Sequence, residues 1–326
     1  MSEAMDADRT KKRRISMYQT KAVGCRELLK DYEGRKHDYA AYRLVFEGAE
    51  GYDVYNISQE FEEGGQFYLA GRVEKRDNEI SCVRIFRRTG EHRYTADFPE
   101  MVFERFQDPF VTRIGEELVL GGVQIETDPL YPERVINWRT LFYRGKTIRE
   151  LKLFAAGPAH MKDIRLGEME NGKIAIFTRP QGKMGGLGKI GFTSVDALEE
   201  VNEESILGAR IFDTHFLPEE WGGANQVNLL EDGRLGVLGH IAYRDENHLH
   251  YHSMSFLFDP ETMGHTPVKI IARRSDIPAG GAKRPDLEDV IFSGGLVRRE
   301  DGKWELYTGV SDCEACVIEI DDPFKA

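Results

Sequence analysis

Asp232-Gly233-Arg234-Leu235-Gly236-Val237-Leu238-Gly239-His240-Ile241-Ala242-Tyr243 reads as a tight turn feeding a β-strand. Asp-Gly is a hairpin turn signal, and the small and branched apolar residues after it suit a pleated, buried strand. A polar gap follows, Arg244-Asp245-Glu246-Asn247, and a second strand starts at His252 with the run HSMSFLFDP. The same order recurs four more times along the chain. Gly64-Gly65 precedes FYLAGRVE, with SCVRIFRR from Ser81, and Gly115 precedes ELVLGGVQIE, with RTLFYRG from Arg139. Asn171-Gly172 precedes KIAIFTRP, with KIGFTSV from Lys189, and Asp301-Gly302 precedes KWELYTGV, with CVIEID from Cys316.

Five similar units at a spacing of roughly 50–70 residues fit one four-stranded blade each, plus insertions. The expected fold is all-β: a five-bladed β-propeller with a short helical N-terminal segment. Helical patterning is confined to Arg26 to Tyr32 and Asp196 to Asn202. A two-sheet sandwich is the other all-β solution, but it would not by itself generate five similar units. The expected organisation is a disordered basic tail over 1–20, carrying Lys11-Lys12-Arg13-Arg14, and a single catalytic propeller domain over 21–326.

Composition narrows the function. The chain has 326 residues, 40% hydrophobic and 31% charged, with a formal net charge of −12. That length buries a sizeable core. A negative surface repels phosphate backbones, so nucleic acid is not an expected partner. No apolar run approaches a membrane span and no secretory leader is visible, so no membrane partner is expected. Cys25, Cys82, Cys313 and Cys316 then read as free thiols of a cytoplasmic protein.

Several motifs are decoys. Gly186-Leu187-Gly188-Lys189-Ile190-Gly191 matches a dinucleotide fingerprint, but a loop precedes it and a strand follows, the wrong context. No phosphate-binding P-loop motif occurs. Cys313 and Cys316 lie three apart on an expected strand and face opposite sides. His248, His250 and His252 would share a strand face, the spacing of a metal chelate, but the polar turn before them suggests solvated edge histidines. No metal and no cofactor is expected.

In a propeller the inner strands converge on a central channel, so polar residues far apart in sequence share one funnel. The candidates are Asp53, Tyr55, Asn56, Arg72 and Glu74 in the first unit and Asp108 in the second. Lys162, Asp163 and Arg179 come from the third, Asn225, Gln226 and His240 from the fourth, and Asp289 and Asp312 from the fifth. Asp108 precedes Pro109, which disfavours the α region and predicts an extended backbone at the mouth of a strand.

Several segments, in order over roughly residues 50–320, resemble a known family. They are QDPFVT from Gln107, MKDIRL from Met161, FTRP from Phe177, WGGANQV from Trp221, GVLGHIAY from Gly236, and DVIFSGGLVRREDGKWELYTGVSD from Asp289. The chain resembles the five-bladed mannoside phosphorylases of glycoside hydrolase family 130. It resembles more closely the β-1,2-mannosyltransferase/phosphorylases of glycosyltransferase family 108.

The resemblance implies that Asp108 is the catalytic acid, at the Asp of the family's E-D-P-R motif. It implies phosphate-binding roles for Lys162, Arg179 and His240, with Tyr251 a weaker match, and sugar-binding roles for Asn56, Arg72 and Asp312. Asp53, Glu74, Asp163, Asn225, Gln226 and Asp289 complete the expected sugar-binding set. Gln107 and Phe110 depart from the E-D-P-R pattern.

The implied reaction is inverting. Phosphate attacks a β-1,2-linked mannoside while Asp108 delivers a proton towards the glycosidic oxygen, giving α-mannose 1-phosphate. In synthesis Asp108 is the base, and the donor is α-mannose 1-phosphate or GDP-mannose. The expected partners are therefore mannose oligosaccharides and phosphate. A phosphorylase needs a single carboxylate and a cationic clamp, whereas a hydrolase needs a second carboxylate to activate water. Asp163, Asp289 or Asp312 would supply one if the chain were a hydrolase. A non-catalytic mannoside-binding propeller is the third reading.

Overall fold

The computed structural model describes residues 21–131 and 134–325. The expected tail over 1–20 lies outside the described residues. Strands dominate, and the five hairpin turns fall where the sequence placed them. Gly64, Gly65, Gly115, Gly172, Gly233 and Gly302 all have φ between 57° and 84°, the left-handed region a tight turn requires.

Each unit is an antiparallel meander. The first runs outward from the broken inner strand Asp53–Tyr55 and Phe61–Glu63 through Gln66–Glu74, Ser81–Gly90 and Arg93–Asp97. The second is Phe106–Ile114, Glu117–Thr127, Val135–Gly145 and Lys152–Ala156. The third is Arg165–Glu168, Ile174–Thr178, Gly191–Val195 and Arg210–Ile211. The fourth is Trp221–Leu229, Leu235–Arg244 and Leu249–Asp259, edged by Gly264–His265 and Lys269–Ala272. The fifth is Asp289–Arg298, Trp304–Val310 and Glu314–Ile320, and its outermost strand comes from the other end of the chain. Ala40–Arg43 pairs antiparallel with Glu314–Ile320, Ala40 opposite Glu319 and Arg43 opposite Cys316. A short parallel pairing, His250 with Asp289 and Tyr251 with Val290, joins the fourth and fifth sheets.

The core explains why these strands are apolar on both faces. It divides into five clusters, one between each pair of consecutive units. Val111, Leu118 and Leu141 meet Tyr68 and Ile85 between the first and second, and Phe110, Val119 and Phe142 meet Ile164 and Ile176 between the second and third. Phe177 and Phe192 meet Phe256 and Phe258 between the third and fourth, and Leu238 and Leu257 meet Ile291 and Leu306 between the fourth and fifth. The last cluster sets Tyr307, Ala315 and Val317 of the fifth unit against Val54, Leu69 and Phe86 of the first. Each such side chain stabilises the fold by roughly 1.5–3 kcal/mol. The inner strand Phe106–Ile114 touches those of the third, fourth and fifth units.

Helix Cys25–Glu33 extends the expected one by a residue at each end. It buries Cys25, Leu28 and Tyr32 against the third and fourth units. Glu220 accepts the Cys25 amide at 2.6 Å and the Leu217 amide at 3.1 Å, satisfying a donor at the helix start. The helix expected over 196–202 instead begins later, at Glu203–Leu207. Asn202 and Ser205 form a reciprocal capping box that sets its start, and only the 3-10 turn Leu198–Glu200 precedes it.

Candidate active site

A kink in each inner strand builds the site. In the second unit Gly121 pairs with Phe110 and Val123 with Gln107, so Asp108 and Pro109 together face Gly122. Asn225 is the extra residue of the fourth unit and Gly294 that of the fifth. Asn56 and Asp163 occupy the corresponding places of the first and third, at the ends of Asp53–Tyr55 and just before Arg165–Glu168. A bulge turns its residue off the sheet and re-aims the side chain. Asn56, Asp108 and Asp163 have φ of 43°, 49° and 59°. The extended backbone expected at Asp108 is therefore corrected. Asp and Asn tolerate the left-handed region, and the bulge demands it. The facing Gly122 leaves the room: a Cβ there would meet the Phe106 ring at 2.5 Å and the Gln107 carbonyl oxygen at 2.9 Å.

Around Asp108 a buried network forms. Asn56 Nδ2 donates to Asp108 Oδ1 at 2.8 Å, and Arg72 Nη1 lies 3.3 Å from the same oxygen. Arg72 also donates to Glu74 Oε2 from Nε and Nη2, at 3.0 and 2.6 Å. Its guanidinium sits over the Tyr55 ring, whose hydroxyl donates to Glu74 at 2.7 Å. Lys283 pairs with Glu74 and with Glu79. Glu74 is thus saturated by protein donors, the anchor that holds Arg72 against Asp108. Burial pushes the Asp312 carboxyl above the usual range; Arg72 opposes this and the Asp108 charge adds to it. Asp312 has φ of 54°, a further left-handed turn aimed at the same place.

The second cluster is cationic. Arg179 Nη1 lies 3.3 Å from Asp163 Oδ2, and Arg165 Nη2 lies 3.9 Å from Asp163 Oδ1. Arg179 Nε donates to the Gly222 carbonyl at 2.9 Å, and Arg165 Nε to the Asn225 carbonyl at 2.9 Å. Asn225 Oδ1 is 2.8 Å from His240 Nδ1. Burial alone would raise the Asp163 pKa, but Arg179, then Lys162, outweigh it and hold the carboxyl at about 2. Burial, reinforced by Arg179 and Lys162 and opposed by Asp163, pushes His240 down to about 3, so its imidazole is neutral at physiological pH. Tyr251 stacks on His240 with ring centres 5.7 Å apart, and its hydroxyl accepts from Trp221 at 2.8 Å. Close packing fixes Arg179: a Cβ on Gly188 would lie 2.8 Å from its guanidinium, and one on Gly223 2.9 Å from its Cδ. The glycine-rich decoy thus has a packing role at Gly188.

Arg165 links the clusters. It is 2% exposed, lies over the Phe110 ring at 4.7 Å, and feels the charges of both Asp163 and Asp108. Arg165 is not among the residues expected from the sequence, although MKDIRL contains it two residues after Asp163. Lys283, on a loop with no motif, left no signal. One signal for the kinks does exist. Asn56, Asp108, Asp163, Asn225 and Gly294 each lie seven to nine residues ahead of a hairpin glycine, namely Gly64, Gly115, Gly172, Gly233 and Gly302.

Three expected sugar contacts have other partners. Asp53 is held by Arg76 at 2.5 and 2.8 Å. Asp289 meets His250 Nδ1 at 2.6 Å, and Asp245 meets the Nε2 of the same ring at 2.9 Å. Gln226 bonds both backbone groups of Leu296, at 3.2 and 2.7 Å, strapping the fourth unit to the fifth. It also lines a cavity of about 730 Å³ with Gln59, Thr112 and Trp304, a lining that contains neither Asp108 nor Arg179. The histidine run is not a solvated edge: His250 is locked between two carboxylates and His252 is 1% exposed. Among the described residues no group of three or more His, Cys, Asp or Glu is arranged to hold a metal, and all four cysteines are free thiols.

Residues 30–326, which contain both clusters, match the family model described as "Protein of unknown function (DUF1861)". The chain belongs to this family. The mannose phosphorylase MPT-4 of Leishmania mexicana, solved with phosphate ion, is 36% identical at a TM-score of 0.85, over 91% of this chain and 93% of that one. MPT-1 of the same organism, a GDP-Man-dependent mannosyltransferase, is 34% identical at a TM-score of 0.84, over 92% and 96%. These relatives are glycosyl-transferring enzymes, and this DUF1861 member is an enzyme of that class. The curated 4-O-beta-D-mannosyl-D-glucose phosphorylase of Bacteroides fragilis is 29% identical over 156 residues, 44% of this chain and 38% of that enzyme's length. A likeness to a structure from the GH130 mannoside phosphorylase family, 12% identical at a TM-score of 0.56 over 83% of this chain, shows the fold alone.

Proposed function

We propose that this protein is an inverting β-1,2-mannoside phosphorylase and mannosyltransferase on a five-bladed β-propeller. The propeller reading is supported by five meanders, five inter-sheet clusters, and the pairing of Ala40–Arg43 with the last sheet. The functional reading rests on one observation. Asp108 is held by Asn56 and Arg72 beside a group in which the buried Arg165 and Arg179 and the half-buried Lys162 face the carboxylate of Asp163. With His240 neutral, three cations against one carboxylate give that group an excess of two positive charges, met in part by Asp108 through Arg165. That matches a phosphate dianion in a chain whose net charge is −12.

In phosphorolysis, phosphate held by Lys162, Arg179 and His240 attacks the anomeric carbon of the terminal mannose. The glycosidic bond breaks on the opposite face, and the Asp108 proton passes to the departing oxygen. Attack from that face yields α-mannose 1-phosphate. In the reverse direction Asp108 takes the proton of the acceptor hydroxyl. Arg72 and Asp312 contact the mannose. The phosphate ion of MPT-4 and the GDP-Man dependence of MPT-1 support both donor types, and the reaction needs no cofactor.

Incubation with β-1,2-mannobiose, with and without inorganic phosphate, tests this. Mannose 1-phosphate should form only when phosphate is present. Free mannose released at the same rate without phosphate would make the protein a hydrolase. Binding without turnover in either direction would make it a mannoside-binding module. Mannose incubated with GDP-mannose, followed by linkage analysis, tests the transferase reaction.

A further inference from the structure

The phosphate clamp contains a neutral imidazole, and a neutral imidazole has one proton to place. His240 Nδ1 is 2.8 Å from Asn225 Oδ1, and both residues are 1% exposed. With the carbonyl oxygen facing the ring, Nδ1 must carry the proton and Nε2 offers a lone pair. A lone pair repels an anionic oxygen. In that orientation Asn225 Nδ2 is also buried with no hydrogen-bond partner among the described residues. Arg165 donates to the Asn225 backbone oxygen, and Arg179 and Lys162 act on the His240 ring. Asn225 therefore sits in a positive field, where an unpaired N–H is the unfavourable way round for an amide and a carbonyl oxygen the favourable one.

The two ends of a carboxamide have the same shape, and a half-turn about Cβ–Cγ exchanges them while moving nothing else. After that half-turn Nδ2 donates to His240 Nδ1, the carbonyl oxygen takes the place of the unpartnered N–H, and the ring proton sits on Nε2. We infer that Asn225 is a positioning residue that fixes His240 in the Nε2–H tautomer, so that the imidazole donates a hydrogen bond to phosphate.

This replaces a sugar-binding role for Asn225. The backbone bulge explains why Asn stands there: the extra residue swings its amide onto the neighbouring strand at His240, and its carbonyl receives Arg165. The inference rests on the phosphorylase reading for the identity of the anion.

The test is ¹⁵N NMR of histidine-labelled protein, with and without inorganic phosphate. His240 is assigned by the signals missing in His240→Gln. The expected result is an unprotonated Nδ1 and a protonated Nε2, with the Nε2 signal shifting as phosphate is added. A protonated Nδ1, or an imidazolium at neutral pH, overturns the Asn225 assignment even if phosphate binds. A wild-type protein whose spectrum does not respond to phosphate, and which shows no phosphorolysis, overturns the phosphorylase reading instead.

Asn225→Leu removes both amide ends. It should leave His240 with mixed tautomers and raise the phosphate KM roughly tenfold or more, the loss of one hydrogen bond to a charged group. The mannoside KM should stay within about a factor of two, since the change is on the anion side. A retained single tautomer with an unchanged phosphate KM refutes the role. Should that variant fail to fold, the wild-type tautomer still decides.

Discussion

Arg179→Met separates what the clamp does for folding from what it does for phosphate. Arg179 and Asp163 are 3% and 2% exposed at their side chains and 3.3 Å apart. Removing the guanidinium strands a buried carboxylate, left with Arg165 at 3.9 Å and the field of Lys162. Breaking such a pair costs about 3–5 kcal/mol. Replacing both members with neutral groups is far cheaper, so Arg179→Met with Asp163→Asn should recover all but about 1–2 kcal/mol of that loss. Phosphate affinity should not recover. Losing charge-assisted hydrogen bonds of about 1.5–3 kcal/mol weakens binding about 10- to 150-fold in the single and the double variant alike. Urea unfolding supplies the first quantity and isothermal titration with inorganic phosphate the second. Equal destabilisation of the single and double variants would show that no charge was stranded. A phosphate Kd within about threefold of wild type in Arg179→Met would remove Arg179 from the clamp.

Asp108→Asn keeps the shape and the acceptor used by Asn56 and Arg72, so the fold should survive while turnover in both directions falls by about 10²–10⁴-fold or more. Comparable turnover by a well-folded variant would sink the acid–base assignment. His215→Phe should stabilise the protein by about 1–3 kcal/mol, because both His215 ring nitrogens are buried with no hydrogen-bond partner among the described residues, in a pocket of Phe212, Phe216, Phe256 and the stacked His265 ring. An unchanged or lower urea midpoint would contradict that. Stability should also fall as pH drops below about 6.5. Burial lowers His215 well below its ordinary value, His240 to about 3 and His252 to about 4, so the unfolded chain binds protons there that the folded one does not. Three such groups cost roughly 4 kcal/mol per pH unit at most, and a urea midpoint that is flat from pH 7.5 to 5.5 would refute the linkage. A further loss belongs below about pH 4, where Asp163, held at about 2, gives up its ion pair.

The five units, the hairpin glycines and the N-terminal helix were legible in the residues, because turn chemistry and strand alternation are local. The grouping of Asp108 with Lys162, Arg179 and His240 came from the family resemblance and not from local pattern. What stood outside the reach of sequence was which polar residues meet. Gln226 lies as close ahead of its hairpin glycine as Asn225 does, so the spacing that marks the kinked residues does not tell the two apart. Only the register of each inner strand separates them, since one extra residue turns a side chain off its sheet and its neighbours stay in the ladder.

By itself, then, the sequence determined an all-β repeat with one candidate acid and a cationic set in a chain of net charge −12. The tertiary structure decided the rest. It set Arg165 between Asp108 and Asp163, saturated Glu74 with Arg72, Tyr55 and Lys283, and gave Asn225 to His240. The physical reason is range. Turns and strands follow from neighbours in the chain, whereas a buried charge is acceptable only where distant partners compensate it, and those partners come from other sheets.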